Sequence, residues 1–250
     1  MGQKVVFFEQ TDSTNVQADR LAKEGAVHGT LVVADMQSAG RGRRGRSWQQ
    51  EPGTMAAMSL ILRPDIAPDK ASMLTLVAAH STAAAIEKMT GLSAFIKWPN
   101  DIVVNQKKVV GILTEMCMSQ GAMQHIVLGI GINVGTKQFP EELRETATSL
   151  YLETGKEIDR GRLIAAVMEQ FETDYETFLQ TEDLTGLLED YNRHLINRGR
   201  EVKILEPGRE HTGISRGITE TGELLVELAD GSVEAVYAGE VSVRGIYGYV

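Results

Sequence analysis

The order of apolar and polar positions predicts strands and helices over most of the chain. Short apolar runs bounded by turn residues are typical of buried strands, and longer periodic stretches are typical of helices. We predict strands at residues 5–9, 30–37, 55–62, 94–98, 102–105, 108–118 and 124–134. We predict helices directly after TDSTN (residues 11–15), ending near Gly25, and at residues 68–90, 159–180 and 183–195. Tight connections between the later strands predict an α+β fold with a mixed, largely antiparallel sheet.

The pattern changes near residue 200. Short apolar segments then recur every eight to twelve residues, separated by turn dipeptides such as Pro207-Gly208 and Asp230-Gly231. This spacing predicts a small β domain. We place a catalytic or ligand-binding domain at residues 1–198 and the small β domain at residues 199–250.

Composition and charge exclude several classes of protein. Of the 250 residues 42% are hydrophobic, which is enough for a sizeable core, and the formal net charge is -9. A nucleic-acid binder normally presents a basic face, so binding to DNA is not expected. The start of the chain lacks a signal-peptide pattern, and no apolar segment is long enough to span a bilayer. We therefore expect a cytoplasmic protein that does not bind membranes.

Cysteine and histidine give little indication of metal or nucleophilic chemistry. Cys117 is the only cysteine, so no intramolecular disulfide can form, and we interpret it as a small buried apolar residue of a strand. No G-x-S-x-G motif is present. The five histidines are scattered without metal-ligand spacing: His28, His80, His125, His194 and His211.

A concentration of positive charge interrupts this acidic chain at GRGRRGRSW, Gly40–Trp48. Arg41, Arg43, Arg44 and Arg46 offer planar donor groups suited to carboxylate or phosphate, and the glycines between them allow backbone N–H groups to approach a ligand. A solvated basic loop without a ligand is the alternative. The segment also matches G-x-G-x-x-G, but Pro52-Gly53 and a following strand leave no helix to meet a dinucleotide pyrophosphate.

Two further motifs place lysines in one predicted hairpin. KWPND spans Lys97–Asp101 and KKVVGILTE spans Lys107–Glu115. A lysine here can contact a phosphoryl or carboxyl oxygen, or it can be an ordinary charge at a sheet edge. Asn100 and Asp101 suit either magnesium or a ribose hydroxyl, or simply a turn. The glycines of GIGIN, residues 129–133, can admit a ligand or allow close strand packing.

In order and spacing, DSTN, QSAGRGRRGRSW, KWPND, KKVVGILTE, GIGIN and AGEVSVR resemble the bacterial biotin protein ligases, also called biotin acetyl-CoA-carboxylase ligases. The resemblance spans essentially the whole chain. It implies a catalytic domain related to class II aminoacyl-tRNA synthetases, followed by a small Src-homology-3-like β-barrel. The winged-helix domain of the bifunctional members has no counterpart here, so we expect the ligase-only form.

The resemblance implies that ATP, with magnesium, activates biotin as biotinyl-5'-AMP, and that a specific lysine of a biotin carboxyl carrier domain then takes the biotinyl group. It implies catalytic roles for Lys108, Arg43 and Arg46. The implied biotin-binding residues are Ser13, Thr14, Asn15, Gln37, Gly40, Arg41, Gly42, Arg43, Lys108 and Gly111. The implied ATP- or adenylate-binding residues are Arg41, Arg43, Arg46, Trp48, Asn100, Asp101, Lys108, Asn133 and Arg244, with Asp101 also a candidate magnesium ligand.

Two other functions are compatible with these residues. A lipoate protein ligase shares the adenylation chemistry. A non-enzymatic relative could use Gly40–Trp48, called the arginine loop below, to bind nucleic acid or an acidic partner.

We expect the arginine loop to order over the reactive intermediate and exclude water. Family members often form homodimers through their sheets, and residues 124–134 are a candidate edge strand.

Overall fold

The computed structural model of the chain describes residues 1–46, 48, 51–206, 209–238, 242–245 and 249–250. Seven strands form the first sheet, in the order β1-β2-β3-β7-β6-β5-β4. They are β1 Val5–Thr11, β2 Leu31–Gln37, β3 Met55–Leu62, β4 Phe95–Lys97, β5 Asp101–Val104, β6 Lys107–Ser119 and β7 Ala122–Asn133. β1 and β2 pair in parallel, whereas the other neighbours pair antiparallel. The predicted mixed, largely antiparallel sheet is confirmed.

The prediction that residues 124–134 form a sheet edge is wrong. β7 pairs with β3 on one side and with β6 on the other. Residues 125–130 of β7 are all buried, which is typical of a strand covered on both faces. Among the seven strands, β1 and β4 stand at the two ends, and β1 exposes Val5 and Phe7.

Helices cover both faces of this sheet. They are α1 Thr14–Lys23, α2 Met73–Thr90, α3 Leu150–Thr154, α4 Arg160–Thr181 and α5 Leu188–His194. Alternate residues of a strand point to opposite faces. Ile61 accordingly packs with α1, while Leu60 and Leu62 pack in the main core with α2 and α4. α1 therefore packs on the face opposite to α2 and α4, and the site described below forms at the start of α1.

Two helix predictions differ from the structure. Pro68–Ser72 forms a separate 3-10 turn before α2. α5 begins at Leu188 and not at residue 183, because Asp183 Oδ1 accepts from Thr185 N in a tight turn and Leu184 N donates to Glu220 O. α3 was not predicted, and it starts where Ser149 Oγ accepts from Leu152 N.

The C-terminal part is a five-stranded antiparallel sheet in the order β11-β10-β9-β8-β12. Its strands are β8 Glu201–Glu206, β9 Arg209–Ile218, β10 Leu224–Glu227, β11 Val233–Val236 and β12 Ser242–Gly245. The predicted small all-β domain is confirmed. It is continuous with the main core, and Trp98 Nε1 donates to Gly222 O at 3.0 Å. Over the described residues, no helix is long and apolar enough to cross a membrane.

Candidate active site

Buried hydrogen-bonding groups converge at the start of α1. Ser13, Thr14 and Asn15 are all buried, because the strand-to-helix turn directs them toward the sheet. Thr14 N and Oγ1 both donate to Gln37 Oε1, at 2.7 and 3.1 Å. Ser59 Oγ lies 2.8 Å from Thr14 Oγ1 and donates to Asn15 Oδ1 at 2.6 Å. The cluster holds donors and acceptors in fixed positions, which suits a ligand with a rigid polar ring.

Asn15 links this cluster to strands β6 and β7. Its Nδ2 group donates to Glu115 Oε2 at 2.8 Å, and Glu115 Oε1 lies 2.9 Å from Arg41 Nη2. The approach is possible because residue 129 is glycine: a Cβ there would lie 2.1 Å from Asn15 Oδ1. The first arginine of the loop is thus connected to the polar cluster through Glu115.

The opposite end of the site carries two lysines near one largely buried carboxylate, that of Asp101. Lys108 Nζ lies 2.5 Å from Asp101 Oδ1, and Tyr249 Oη donates to Asp101 Oδ2 at 2.5 Å. Lys97 Nζ lies 3.7 Å from the centre of the Tyr249 ring. Burial opposes ionisation of Asp101, but Lys108, Lys97 and Tyr249 outweigh it, so the pKa of Asp101 is lowered. Asp101 is held as an anion that positions Lys108.

Arg43 reaches from the arginine loop to the same end. Its Nη1 donates to Asn100 Oδ1 at 2.9 Å and its Nη2 donates to Ala238 O at 2.5 Å. Burial lowers the pKa of this guanidinium, and Asp101 counteracts the shift. Asn100 Nδ2 is fixed in turn by Ile112 O. Arg43 is therefore anchored between the hairpin and the C-terminal domain.

The arginine loop folds back on itself. Gly42 N donates to Arg46 O at 2.7 Å, and Trp48 N donates to Gly40 O at 2.8 Å. Arg44 adopts a left-handed backbone conformation with φ 59°. The side chains of Arg44 and Arg46 are exposed, in contrast to that of Arg43.

The Trp48 ring lies across two glycines of the sheet. A Cβ at Gly111 would be 2.7 Å from Trp48 Cζ3, and one at Gly131 would be 3.0 Å from Trp48 Nε1. The ring leaves a cavity of about 50 Å³ between the polar cluster and Lys108. A water molecule takes up about 30 Å³, so with Trp48 in this position the cavity is too small for a ligand of many atoms.

Comparison with known proteins matches this geometry to one family. The model of the biotin/lipoate A/B protein ligase family matches residues 7–133, and that of the biotin protein ligase C-terminal domain matches residues 199–244. The chain belongs to the biotin/lipoate A/B protein ligase family. The predicted resemblance to bacterial biotin protein ligases is confirmed, and with it the class of ATP-dependent ligase.

Alignments with individual relatives cover nearly all of this ligase. The bifunctional ligase/repressor of Bacillus subtilis is 39% identical over 243 residues, covering 96% of this chain and 74% of that protein. The biotin acetyl-CoA-carboxylase ligase of Paracoccus denitrificans is 32% identical and is covered to 99%. The biotin protein ligase of Aquifex aeolicus, solved with biotin and ATP, has a TM-score of 0.86 and 32% identity, covering 97% of this chain and 99% of that one.

Most of the predicted residues of the ligase meet around one cavity. Those lining it are Ser13, Thr14, Asn15, Gln37, Arg41, Gly42, Arg43, Trp48, Asn100, Lys108 and Gly111. Gly40 adjoins it, and Asp101 lies behind Lys108. Asn133 is buried at the end of β7 and donates to Thr148 O. Arg244 lies in β12, but its side chain, like residue Ser47, falls outside the described part of the chain.

Three contributors were missed from sequence, and one interpretation was wrong. Ser59, Glu115 and Tyr249 all contact predicted site residues. Ser59 left a signal, as the single polar residue in the buried run MAAMSLIL. Cys117 is only half-buried, because the pairing of β6 with β5 ends at Gly111, before Cys117 is reached. In the β6–β7 ladder Cys117 is the partner of His125.

A larger groove of about 1030 Å³ runs along β1, β2 and α4. Its walls are mainly aliphatic, and rim charges pair with each other, as in the 2.7 Å contact of Arg160 with Asp35. The smaller cavity beside Lys108 combines convergent donors with anchored cations, so we assign the chemistry there.

Proposed function

We propose that this ligase joins biotin to ATP, releasing pyrophosphate, and then transfers the biotinyl group to a lysine of a biotin carboxyl carrier domain. One observation carries the proposal: a cavity with rigid hydrogen-bonding groups at one end has Lys108 and Arg43 at the other. This polarity suits a ligand with a polar ring and a distant carboxylate. Relatives named as biotin ligases support the choice of biotin over lipoate.

In the first step, a biotin carboxylate oxygen attacks the α-phosphorus of ATP. A new bond forms between the carboxylate oxygen and the α-phosphorus, while the bond from the α-phosphorus to the oxygen that bridges to the β-phosphorus breaks. Pyrophosphate leaves with the electron pair. Two anions must approach each other, so fixed cations contribute most of the rate. Lys108 contacts the carboxylate and the α-phosphate, while Arg43 orients the phosphates.

Roles for the other predicted residues follow from their places. Ser13, Thr14 and Gln37 bind the ureido ring of biotin, because the buried Ser13 and Thr14 at the start of α1 and Gln37 at the end of β2 present donors and acceptors close together. Trp48 covers the adenylate after moving off the glycines. The resemblance to the family supports a role for Asn133 in binding adenine and roles for Arg46 and Arg244 in contacting phosphates.

Magnesium enters this reaction with the phosphates of ATP. Asp101 is poorly suited to hold it directly, because Lys108 Nζ lies 2.5 Å from one of its oxygens and Lys97 is close by. Mg²⁺ usually keeps several waters and binds through substrate phosphates. We therefore assign Asp101 to the positioning of Lys108 and leave the ion with ATP as substrate.

In the second step, the ε-amino group of the carrier lysine attacks the carbonyl carbon of the mixed anhydride. The amide C–N bond forms, the C–O bond to AMP breaks with AMP taking the electron pair, and the proton of the amine passes to solvent. Trp48 and the arginine loop exclude water, which would otherwise hydrolyse the intermediate. We expect this reaction to take place in the cytoplasm.

The test is transfer to a purified bacterial biotin carboxyl carrier domain in the presence of ATP, magnesium and biotin. We expect the carrier to become reactive toward labelled streptavidin, and a carrier with its acceptor lysine changed to arginine to remain unlabelled. Equal labelling of both carriers would contradict site-specific transfer. Attachment of lipoate instead of biotin, detected by mass, would contradict the assigned substrate.

A further inference from the structure

A second cluster of chemically reactive side chains lies one helical turn beyond the polar end of the active site. Asp19 follows Asn15 by one turn on α1, and Cys117 follows Glu115 by two residues on β6. Cys117 and His125 are directly opposite each other in the β6–β7 ladder, so both side chains point to the same face, toward α1. The three groups come from three elements of the fold.

The geometry points to a binding site for zinc or a divalent transition-metal ion of similar ligand preference, held by Asp19, Cys117 and His125. One ligand atom of each residue lies within 4.8 Å of the other two. His125 Nε2 is already 2.9 Å from Asp19 Oδ1. Thiolate, imidazole and carboxylate are the three ligand types that zinc uses, at about 2.0 to 2.3 Å each.

The surroundings suit a site with one open position. His125 is almost completely buried, whereas Cys117 is half-buried and the Asp19 side chain is 39% exposed. An ion can therefore enter from the exposed side, and a water on that side would complete its coordination, as in sites with three protein ligands. The bound ion would tie α1, which carries Ser13, Thr14 and Asn15, to the two central strands.

One neighbour opposes the ion. Lys23 Nζ lies 2.7 Å from Asp19 Oδ2, and its charge also interacts with Cys117. Lys23 is largely exposed on the last turn of α1, so its ammonium group can turn into solvent when a cation arrives. The competition predicts that removal of this lysine strengthens binding.

Cobalt(II) titration of the reduced full chain tests the site, because a thiolate–cobalt charge-transfer band can arise only from the single cysteine. We expect one ion per chain, with the band displaced by zinc. Cys117→Ser should abolish the band, and Asp19→Asn should weaken binding by at least about tenfold. Lys23→Gln should bind cobalt more tightly than the wild type, because the competing ammonium group is removed.

Two results would overturn the inference. One is the absence of the band in wild-type protein whose thiol still reacts with a thiol reagent. The other is unchanged cobalt affinity in both Asp19→Asn and His125→Asn variants. Circular dichroism of each variant separates loss of ligation from loss of fold, and none of these substitutions touches the residues assigned to biotin or ATP.

Discussion

At the residue scale, Asn15 takes its place only because residue 129 has no side chain. The glycines of GIGIN could, from sequence, have served either ligand approach or strand packing. Gly129 admits the amide of Asn15, whereas Gly131 lies under the Trp48 ring. Asn15 is then fixed by Ser59 and Glu115. Each glycine thus accommodates a different side chain of the site.

Gly129→Ala should therefore weaken biotin binding. The new methyl group would displace the Asn15 amide and break its hydrogen bond to Glu115. Loss of a hydrogen bond to a charged group predicts a Kd for biotin raised by about tenfold or more, measured by calorimetry. Gly135→Ala is the control, since its nearest neighbour would be 3.7 Å away. Equal affinity in Gly129→Ala and wild type would contradict this account of Asn15.

Tyr249→Phe should change the pH dependence of adenylation. Tyr249 Oη donates to Asp101, and together with the lysines it lowers the pKa of that carboxyl group. Without the hydroxyl the pKa of Asp101 rises, so the acidic limb of kcat/KM against pH should move to higher pH. Tyr237→Phe is a control, because Tyr237 is 70% exposed. Superimposable profiles for Tyr249→Phe and wild type would show that the Tyr249 hydroxyl does not influence Asp101 during adenylation.

Sequence reasoning found the site residues that belong to contiguous motifs. Lys108, Arg43 and Trp48 could be predicted because each stands in a run of distinctive composition. Glu115 closes the KKVVGILTE motif, but its contacts with Asn15 and Arg41 depend on which distant segments the fold brings together, and those of Tyr249 depend on the same. Cys117 was misinterpreted for the same reason, since its exposure depends on where β6 loses its second neighbour.

At the scale of elements, one histidine connects three helices. His80 of α2 is buried, with Nδ1 2.8 Å from Asp174 of α4 and Nε2 2.8 Å from Asp190 of α5. Burial lowers the pKa of His80, but the two carboxylates outweigh it, so the pKa is raised overall. The charged ring then satisfies both partners at once.

This arrangement predicts a pH-dependent stability. The stabilisation from His80 is fully present below the unfolded pKa of about 6.5 and is lost as pH rises through the higher folded pKa. His80→Gln should cost about 3 kcal/mol of unfolding free energy at pH 6 and less at pH 9, measured by urea titration. Asp190→Asn, on the more exposed side, should cost less. A pH-independent difference between wild type and His80→Gln would contradict the charged form.

Element prediction succeeded where the pattern was strong. β3 was predicted with its observed bounds because its eight residues form one buried apolar run, and α4 begins directly after Asp159, whose side chain caps it. The start of α5 and the position of β7 within the sheet were not predictable in this way. The first depends on a contact with Glu220, and the second depends on which strands pair.

At the scale of the whole molecule, the two domains share one core. Trp98 is buried against Gly222, and Arg43 and Asp101 both bond to residues near the C-terminus. We therefore expect scanning calorimetry to show a single unfolding transition, with calorimetric and van't Hoff enthalpies that agree. Two separated transitions would show that the small domain folds independently. The boundary at residues 198–199 stays a prediction.

The central claim is that Lys108 serves the adenylation of biotin, and biotin-dependent exchange between ATP and labelled pyrophosphate tests it most directly. Lys107→Ala is the matched control, because Lys107 Nζ donates to Arg144 O, away from the cavity. We predict exchange with biotin and not with lipoate, near the wild-type rate in Lys107→Ala and at least about a hundredfold lower in Lys108→Ala. Equal rates in the two variants, or no biotin-dependent exchange in the wild type, would contradict the account.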